Sequence, residues 1–297
     1  MKRLKVGVIG CGVMGGFHLK QYRAIPEAEL SGVFDIDPAR APKDIPFFGN
    51  IDDLFKAVQA VSITTPTSTH FEVGMKALSS GCHVLMEKPI CETSEQAEKL
   101  IKLAKDKKLT LAVGFIESYN PAFRALLKSI KGHKPDIIDI RRLAPLPERI
   151  TDVSVVIDMM IHDIDIARRI AGSEVKHVNA MGKKVKTNRL DSVFAVVAFK
   201  NGVVANIEAS RVHHEKVRTI IVASGKEMFE ADLFNKKLTR RTLDKREEFE
   251  VVNYDSLQME LKDFIDSAIN RAKPSVTGED GLAALRVAED VEKAALI

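Results

Sequence analysis

Few cysteines, no long apolar run and no block of one charge narrow the 297-residue chain before any motif is read. Cys11, Cys82 and Cys91 are odd in number and lack paired CxxC spacing. That argues against a disulfide framework or a zinc site, so no metal is expected and a reducing cytoplasm fits. Apolar residues make up 45% of the chain, yet no run reaches the length of about 18 that would span a bilayer, so no membrane partner is expected. The start, MKRLKVGVIGCG, is basic and then apolar, but it breaks into glycines and reads as a first strand instead of a leader. The 45 basic and 41 acidic residues are interspersed and leave a net charge of +4, which offers nucleic acid no attracting stripe and leaves room for an anionic small molecule. Internal repeats and low-complexity stretches are also missing.

What is present begins with alternation. Strand-like segments at 4–10, 29–34, 58–66, 83–89 and 109–115 are separated by helical ones at 13–24, 51–58, 71–81 and 94–107, the last two stopped by Gly81 and capped by Thr93 or Ser94. Such alternation implies α/β architecture: a doubly wound parallel sheet with ligands outside the carboxyl ends of its strands. Beyond residue 117 the pattern changes. A helix from Pro121 to Lys131 and a strand at 136–144 precede an apolar helix at 153–171. A run of strands with hairpin signals at Lys200-Asn201-Gly202 and Ser224-Gly225-Lys226 follows, then closing helices at 255–272 and 278–295. This reads as an antiparallel meander in an α+β domain with a large, mainly antiparallel open sheet. The expected domains are 1–118, binding a dinucleotide, and 119–297, serving substrate binding and oligomerisation.

The first chemical signal is Gly10-Cys11-Gly12-Val13-Met14-Gly15. A GxGxxG string alone is common, but this one follows a strand and opens a helix, and Asp35 lies 20 residues past Gly15 at the end of the next strand. Gly10 permits the turn, Gly12 the approach of a pyrophosphate, Gly15 close helix packing, and the helix N-terminus attracts the phosphates. Asp35 accepts from ribose hydroxyls and repels a 2′-phosphate, favouring NAD over NADP, although Arg40 keeps NADP as the alternative. Thr64-Thr65-Pro66 with His70, at another strand end, is either an ordinary strand-to-helix turn capped by Thr67 or Ser68, or a contact to the nicotinamide or its ribose.

HVLMEKP ends an apolar strand on adjacent opposite charges. A surface ion pair is one reading; the other places Lys88 on a substrate hydroxyl, steadying developing alkoxide, with Glu87 binding cofactor ribose or bracing Lys88. Asp158, His162 and Asp165 share one face of a helix that is otherwise apolar. Either they are satisfied core groups or they line a substrate pocket in which His162 is a general base and Asp158 orients it or shares the substrate.

GVIGCGVMG, SITTP with His70, MEKP, GFIESYNP and DMMIHDID, in this order, resemble the Gfo/Idh/MocA family of nicotinamide-dependent oxidoreductases acting on sugars and cyclitols. The closing helices ELKDFIDSAI and SVTGEDGLAALRVAEDVEKA extend the resemblance to nearly the whole chain. It implies a Rossmann domain with non-covalent NAD(P), an open sheet domain, and homodimers or homotetramers built through those sheets. It also matches Lys88 to the family's EKP lysine and Asp158 and His162 to its catalytic DxxxH pair. Val153-Ser154-Val155 departs from the glycines many members carry there.

GFIESYNPAF resembles the GHIERFNPA of the subgroup that oxidises UDP-N-acetylglucosamine or related nucleotide sugars at C3. Glu117, Asn120 and Pro121 match, while Phe115 and Ser118 depart; Glu117 and Asn120 are therefore expected to bind substrate. A 3-dehydrogenase of this kind is the leading expectation. An inositol or hexose dehydrogenase, an NAD-dependent glycosidase and a catalytically silent dinucleotide sensor are the alternatives.

Overall fold

β1 (Leu4–Ile9) is buried at all but one of its positions because it lies inside a parallel sheet covered on both faces. The computed structural model describes residues 3–146 and 153–295, which fall into two units. In the first, β1 is followed by α1 (Val13–Ala24), β2 (Ala28–Phe34), α2 (Ile51–Ala57), β3 (Ala60–Ile63), α3 (Thr67–Ser79), β4 (His83–Glu87), α4 (Ser94–Lys107) and β5 (Leu111–Gly114). The strands stand in the order β2-β1-β3-β4-β5, all pairs parallel. The order reverses between β1 and β3, the point at which a doubly wound sheet opens a crevice for a ligand. Thr93 and Gln96 form a reciprocal capping box that starts α4. Pro66, and neither Thr67 nor Ser68, stands at the N-cap of α3, so the capping expected there does not occur.

The second unit contains α5 (Pro121–Ser129), β6 (Ile137–Leu143), α6 (Ile161–Ala171) and seven strands: β7 (Val175–Lys183), β8 (Ser192–Phe199), β9 (Val204–Ser210), β10 (Val217–Ser224), β11 (Glu227–Asp232), β12 (Lys237–Arg241) and β13 (Arg246–Phe249). Their order is β13-β12-β11-β10-β6-β9-β8-β7. The expected simple meander is interrupted, because β6 inserts between β10 and β9 and pairs with β9 in parallel. Its alternating pattern explains the central place: Ile138, Ile140 and Arg142 face inward and are buried, while Ile137 and Arg141 are exposed. Gly202 and Gly225, with φ of +93° and +58°, make the two turns expected from sequence.

α7 (Ser256–Asn270) and α8 (Gly278–Ala295) close the chain. The division into units corrects the expected boundary: Asp255–Leu282 group with the residues up to Ile116, and the second unit runs from Glu117 to Tyr254 and resumes at Ala283. The cause is packing. Leu257, Leu261, Phe264, Ile265 and Ala268 on one stripe of α7 join Val6, Val8, Leu19 and Tyr22 in a single core of the first unit. Among the described residues no helix is long and apolar enough to cross a membrane.

Candidate active site

The glycine turn between β1 and α1 is built so that a side chain would destroy it. Gly10 has φ of +92°, and a Cβ at Gly15 would lie 1.9 Å from the Gly10 carbonyl oxygen. Gly12 is the N-cap of α1, no side chain caps that end, and a Cβ on Gly12 would meet nothing within 4 Å. First-turn N–H groups and an uncrowded backbone are what a dinucleotide pyrophosphate needs, so these residues fit NAD. Val13, exposed by 60%, and Met14 open the helix beside the turn. Asp35 closes it from β2: its carboxylate accepts from the Cys11 N–H at 2.6 Å and the Asp37 N–H at 2.8 Å. The neighbouring Cys11 thiol is pushed up to about 11 by burial and by the charge of Asp35, which keeps it protonated.

Two residues expected to touch the cofactor instead brace the loops. The Thr64 hydroxyl donates to the Gly10 carbonyl at 2.6 Å, fixing the turn from β3. His70 is buried, and its ring nitrogens lie 2.9 Å from the Thr65 and Pro89 carbonyls, tying the loop after β3 to the loop after β4. Burial lowers its pKa despite those carbonyls. His70 thus acts as a strut between the two loops. Thr65 accepts from the Thr69 hydroxyl at 2.7 Å beside Pro66.

At the carboxyl end of β4, Glu87 accepts from the Lys88 N–H at 3.2 Å and pairs with His18 Nε2 at 3.0 Å. Gly114 on β5 presses against this carboxylate, since a Cβ there would come within 3.1 Å of Glu87 Oε1. Lys88 is half-buried at the same strand end, and the Lys88–Pro89 peptide is cis. Glu260 of α7, 1% exposed, completes a group with His18 and Glu87 in which one ligand atom of each lies within 4.8 Å of the others. His18 and Glu260 were missed from sequence: a lone histidine on α1 and one acid in ELKDFI carry no spacing signal.

In the second unit the apolar helix expected over 153–171 begins as a π-helical turn, Val156–Met160, before α6. The Ile161 N–H donates to the Val156 carbonyl, and the widened turn ends two residues before His162. Asp158 lies half-buried on this turn, and His162 is 8% exposed at the start of α6. Where family members carry glycines, the Ser154 hydroxyl donates to Glu292 of α8 and the Ser154 carbonyl accepts from the Asp158 N–H at 3.0 Å. Asp165 is not a third pocket group. It is fully buried and accepts from Ser118 Oγ at 2.5 Å and Arg169 Nε at 2.7 Å.

Glu117 and Asn120 are also engaged by protein partners. Glu117 accepts from Arg142 Nη1 and Arg218 Nη1, both at 2.8 Å, and from Asn120 Nδ2 at 3.1 Å. Asn120 also donates to the Leu233 carbonyl and caps α5 through Ala122 N–H. Arg142 turns its Nε and Nη2 to buried Asp163 at 2.8 to 3.0 Å. Burial alone would raise the Glu117 carboxyl, but Arg142 and Arg218 outweigh it and hold it below the ordinary value. Both residues thus tie the loop after β5 to β6, β10 and the loop after β11.

A parallel sheet with a glycine turn at its switch point and an acid on the following strand defines an NAD-binding oxidoreductase domain. The comparisons agree: residues 4–115 match the model of the oxidoreductase family with NAD-binding Rossmann fold, and residues 141–228 match the GFO/IDH/MocA C-terminal domain. The chain belongs to the GFO/IDH/MocA family. It is 35% identical to a UDP-N-acetylglucosamine 3-dehydrogenase of Acidithiobacillus ferrooxidans over 97% of this chain and 95% of that protein. It is 28% identical to a myo-inositol 2-dehydrogenase of Thermotoga maritima over 95% of this chain and 93% of that one. A solved structure of the Acidithiobacillus enzyme superposes with a TM-score of 0.95 at 34% identity, covering 99% of this chain and 98% of that one.

Proposed function

We propose that the chain is an NAD-dependent dehydrogenase that oxidises UDP-N-acetylglucosamine, or a closely related nucleotide sugar, at C3. Its full-length likeness to the Acidithiobacillus enzyme carries this reading. When bound, NAD supplies the hydride acceptor. In this reading Gly10, Gly12, Val13, Met14 and Gly15 hold the pyrophosphate and Asp35 accepts from ribose hydroxyls. Thr65, Pro66 and Glu87 flank the nicotinamide end. Lys88 donates to the substrate hydroxyl, and its charge steadies the oxygen as the proton leaves. His162 takes that proton, with Asp158 beside it to orient ring or substrate. The C–H bond breaks with its electron pair leaving as hydride, and the C–O bond becomes a carbonyl.

The test is NADH formation from UDP-N-acetylglucosamine beside myo-inositol and hexoses. The nucleotide sugar is expected to give the highest kcat/KM; a preference for myo-inositol moves the reading to the cyclitol dehydrogenases. Lys88→Ala and His162→Ala should each lower kcat by about 10²–10⁴-fold while NAD affinity stays within about twofold. Parent-like turnover in either variant removes the role given to that residue.

We also infer that the open face of the large sheet receives a second copy of the chain, giving a homodimer or a homotetramer. Phe194 and Val196 on β8 and Met181 on β7 are 57%, 44% and 79% exposed, a concentration of apolar surface that favours a self-complementary contact. The three free cysteines suit a reducing cytoplasm.

A further inference from the structure

The pocket behind β4 is short of hydrogen-bond donors. His18 is fully buried and its Nδ1 has no hydrogen-bond partner. A ring proton on Nδ1 would be stranded there, whereas one on Nε2 meets Glu87, which accepts it at 3.0 Å. With the Lys88 N–H as its second donor, Glu87 has what an anion requires. Glu260 has nothing of the kind: it is 1% exposed and neither carboxyl oxygen has a hydrogen-bond partner. Two carboxylates this close, one of them 1% exposed, cannot both be charged at tolerable cost. Burial first, then Glu87 and Asp263, push the Glu260 carboxyl well above the usual carboxylate range.

We infer that Glu260 is a positioning residue of the proposed hydride-transfer site: as a neutral carboxylic acid it directs its own proton to the His18–Glu87 pair. It thereby leaves one negative charge in the pocket, on Glu87, fixed at the end of β4 beside Lys88. This rests on the reading that Glu87 and Lys88 serve cofactor and substrate. The separation, at most 4.8 Å between the offered atoms, is one that a hydrogen bond after a small side-chain rotation, or a single bridging water, closes. α7 delivers this group from a segment whose sequence neighbours lie in the other unit.

The experiment uses the full-length protein with Glu260→Gln, Glu260→Leu and Glu87→Gln. NAD affinity is measured by calorimetry without substrate, and kcat and KM are measured separately. Glu260→Leu removes the donor and should weaken NAD binding about tenfold, whereas Glu260→Gln keeps an N–H donor and should restore it to within about threefold of the parent. The parent should also show the infrared carbonyl stretch of a buried protonated acid at neutral pH, lost in Glu260→Gln. If Glu260→Gln is as damaging as Glu260→Leu, or if the purified parent carries a stoichiometric metal that Glu260→Gln loses, the group acts as an anion and the inference is overturned. If Glu260→Leu binds NAD like the parent while Glu87→Gln does not, the positioning role alone falls. Parent-like NAD binding and turnover in Glu87→Gln would instead remove the underlying reading of the site.

Discussion

Each unit buries a pair of carboxylates, and the two pairs are furnished differently. In the second unit Glu117 and Asp163 share Arg142, and Arg218 and Asn120 add further donors. In the first unit Glu87 has two donors and Glu260 has none. A saturated cluster has nothing left to offer a ligand and holds elements together. A cluster lacking donors must keep a proton, a water or a cation, and such groups collect where chemistry is done.

Breaking the saturated cluster should have the largest effect. Arg142→Met leaves two buried carboxylates short of their main cation and should cost about 3–5 kcal/mol in chemical denaturation. Lysine cannot replace the fork that serves Asp163 and Glu117 together, so Arg142→Lys should recover only part of this. A loss under about 1 kcal/mol for Arg142→Met would mean that both acids already hold protons, which would erase the contrast between the units.

A smaller effect tests the edge of the same network. Ser118 stands where the resembling subgroup carries arginine, and its hydroxyl reaches fully buried Asp165, which also binds Arg169. Ser118→Ala should cost about 1–3 kcal/mol, with turnover per folded molecule unchanged. A fall in kcat without a fall in stability would restore a substrate-side role to this loop.

The parts legible in the sequence were those with a period or a local signature. Alternating segments placed every strand and helix of the first unit near its true bounds, and the glycine turn with Asp35 was readable because its geometry needs contiguous residues. Nothing in β6 announced its insertion between β10 and β9, since pairing partners distant in sequence leave no local mark. The same limit hid the protein partners of Glu117 and Asn120. The donors to Glu117 sit at Arg142 and Arg218 and the carbonyl that accepts from Asn120 at Leu233, so from sequence alone two polar residues in a motif could as well face a ligand. His70 shows the converse: its place near the cofactor turn was legible, but not that both ring nitrogens face backbone carbonyls. α7 read as part of the second domain because it follows that domain in the chain. Only its apolar stripe, once packed, brought Glu260 to Glu87.

The finest discrimination lies between one acid of each cluster, Glu117 and Glu260, whose contributions depend on pH with opposite sign. Glu117 is held below its ordinary value of 4.5, so the folded state releases its proton more readily than the unfolded chain. Its contribution is present above that value and is lost as pH falls through the lower folded one. Glu260 is held well above 4.5, so the folded state keeps a proton that the unfolded chain gives up, and its contribution declines as pH rises from about 4.5 toward the raised value. Burial sets this second slope first, then the charges of Glu87 on β4 and Asp263 on α7 itself, in a site that His18 and Tyr22 of α1 also face. Glu260→Gln removes the titration while keeping the shape. Its stability relative to the parent should therefore climb with pH above about 4.5, by no more than about 1.4 kcal/mol per unit, in parallel denaturation curves from pH 4 to about pH 8. A difference that stays flat across that range would show Glu260 ionised in the folded protein, and the two buried pairs would then be alike in charge.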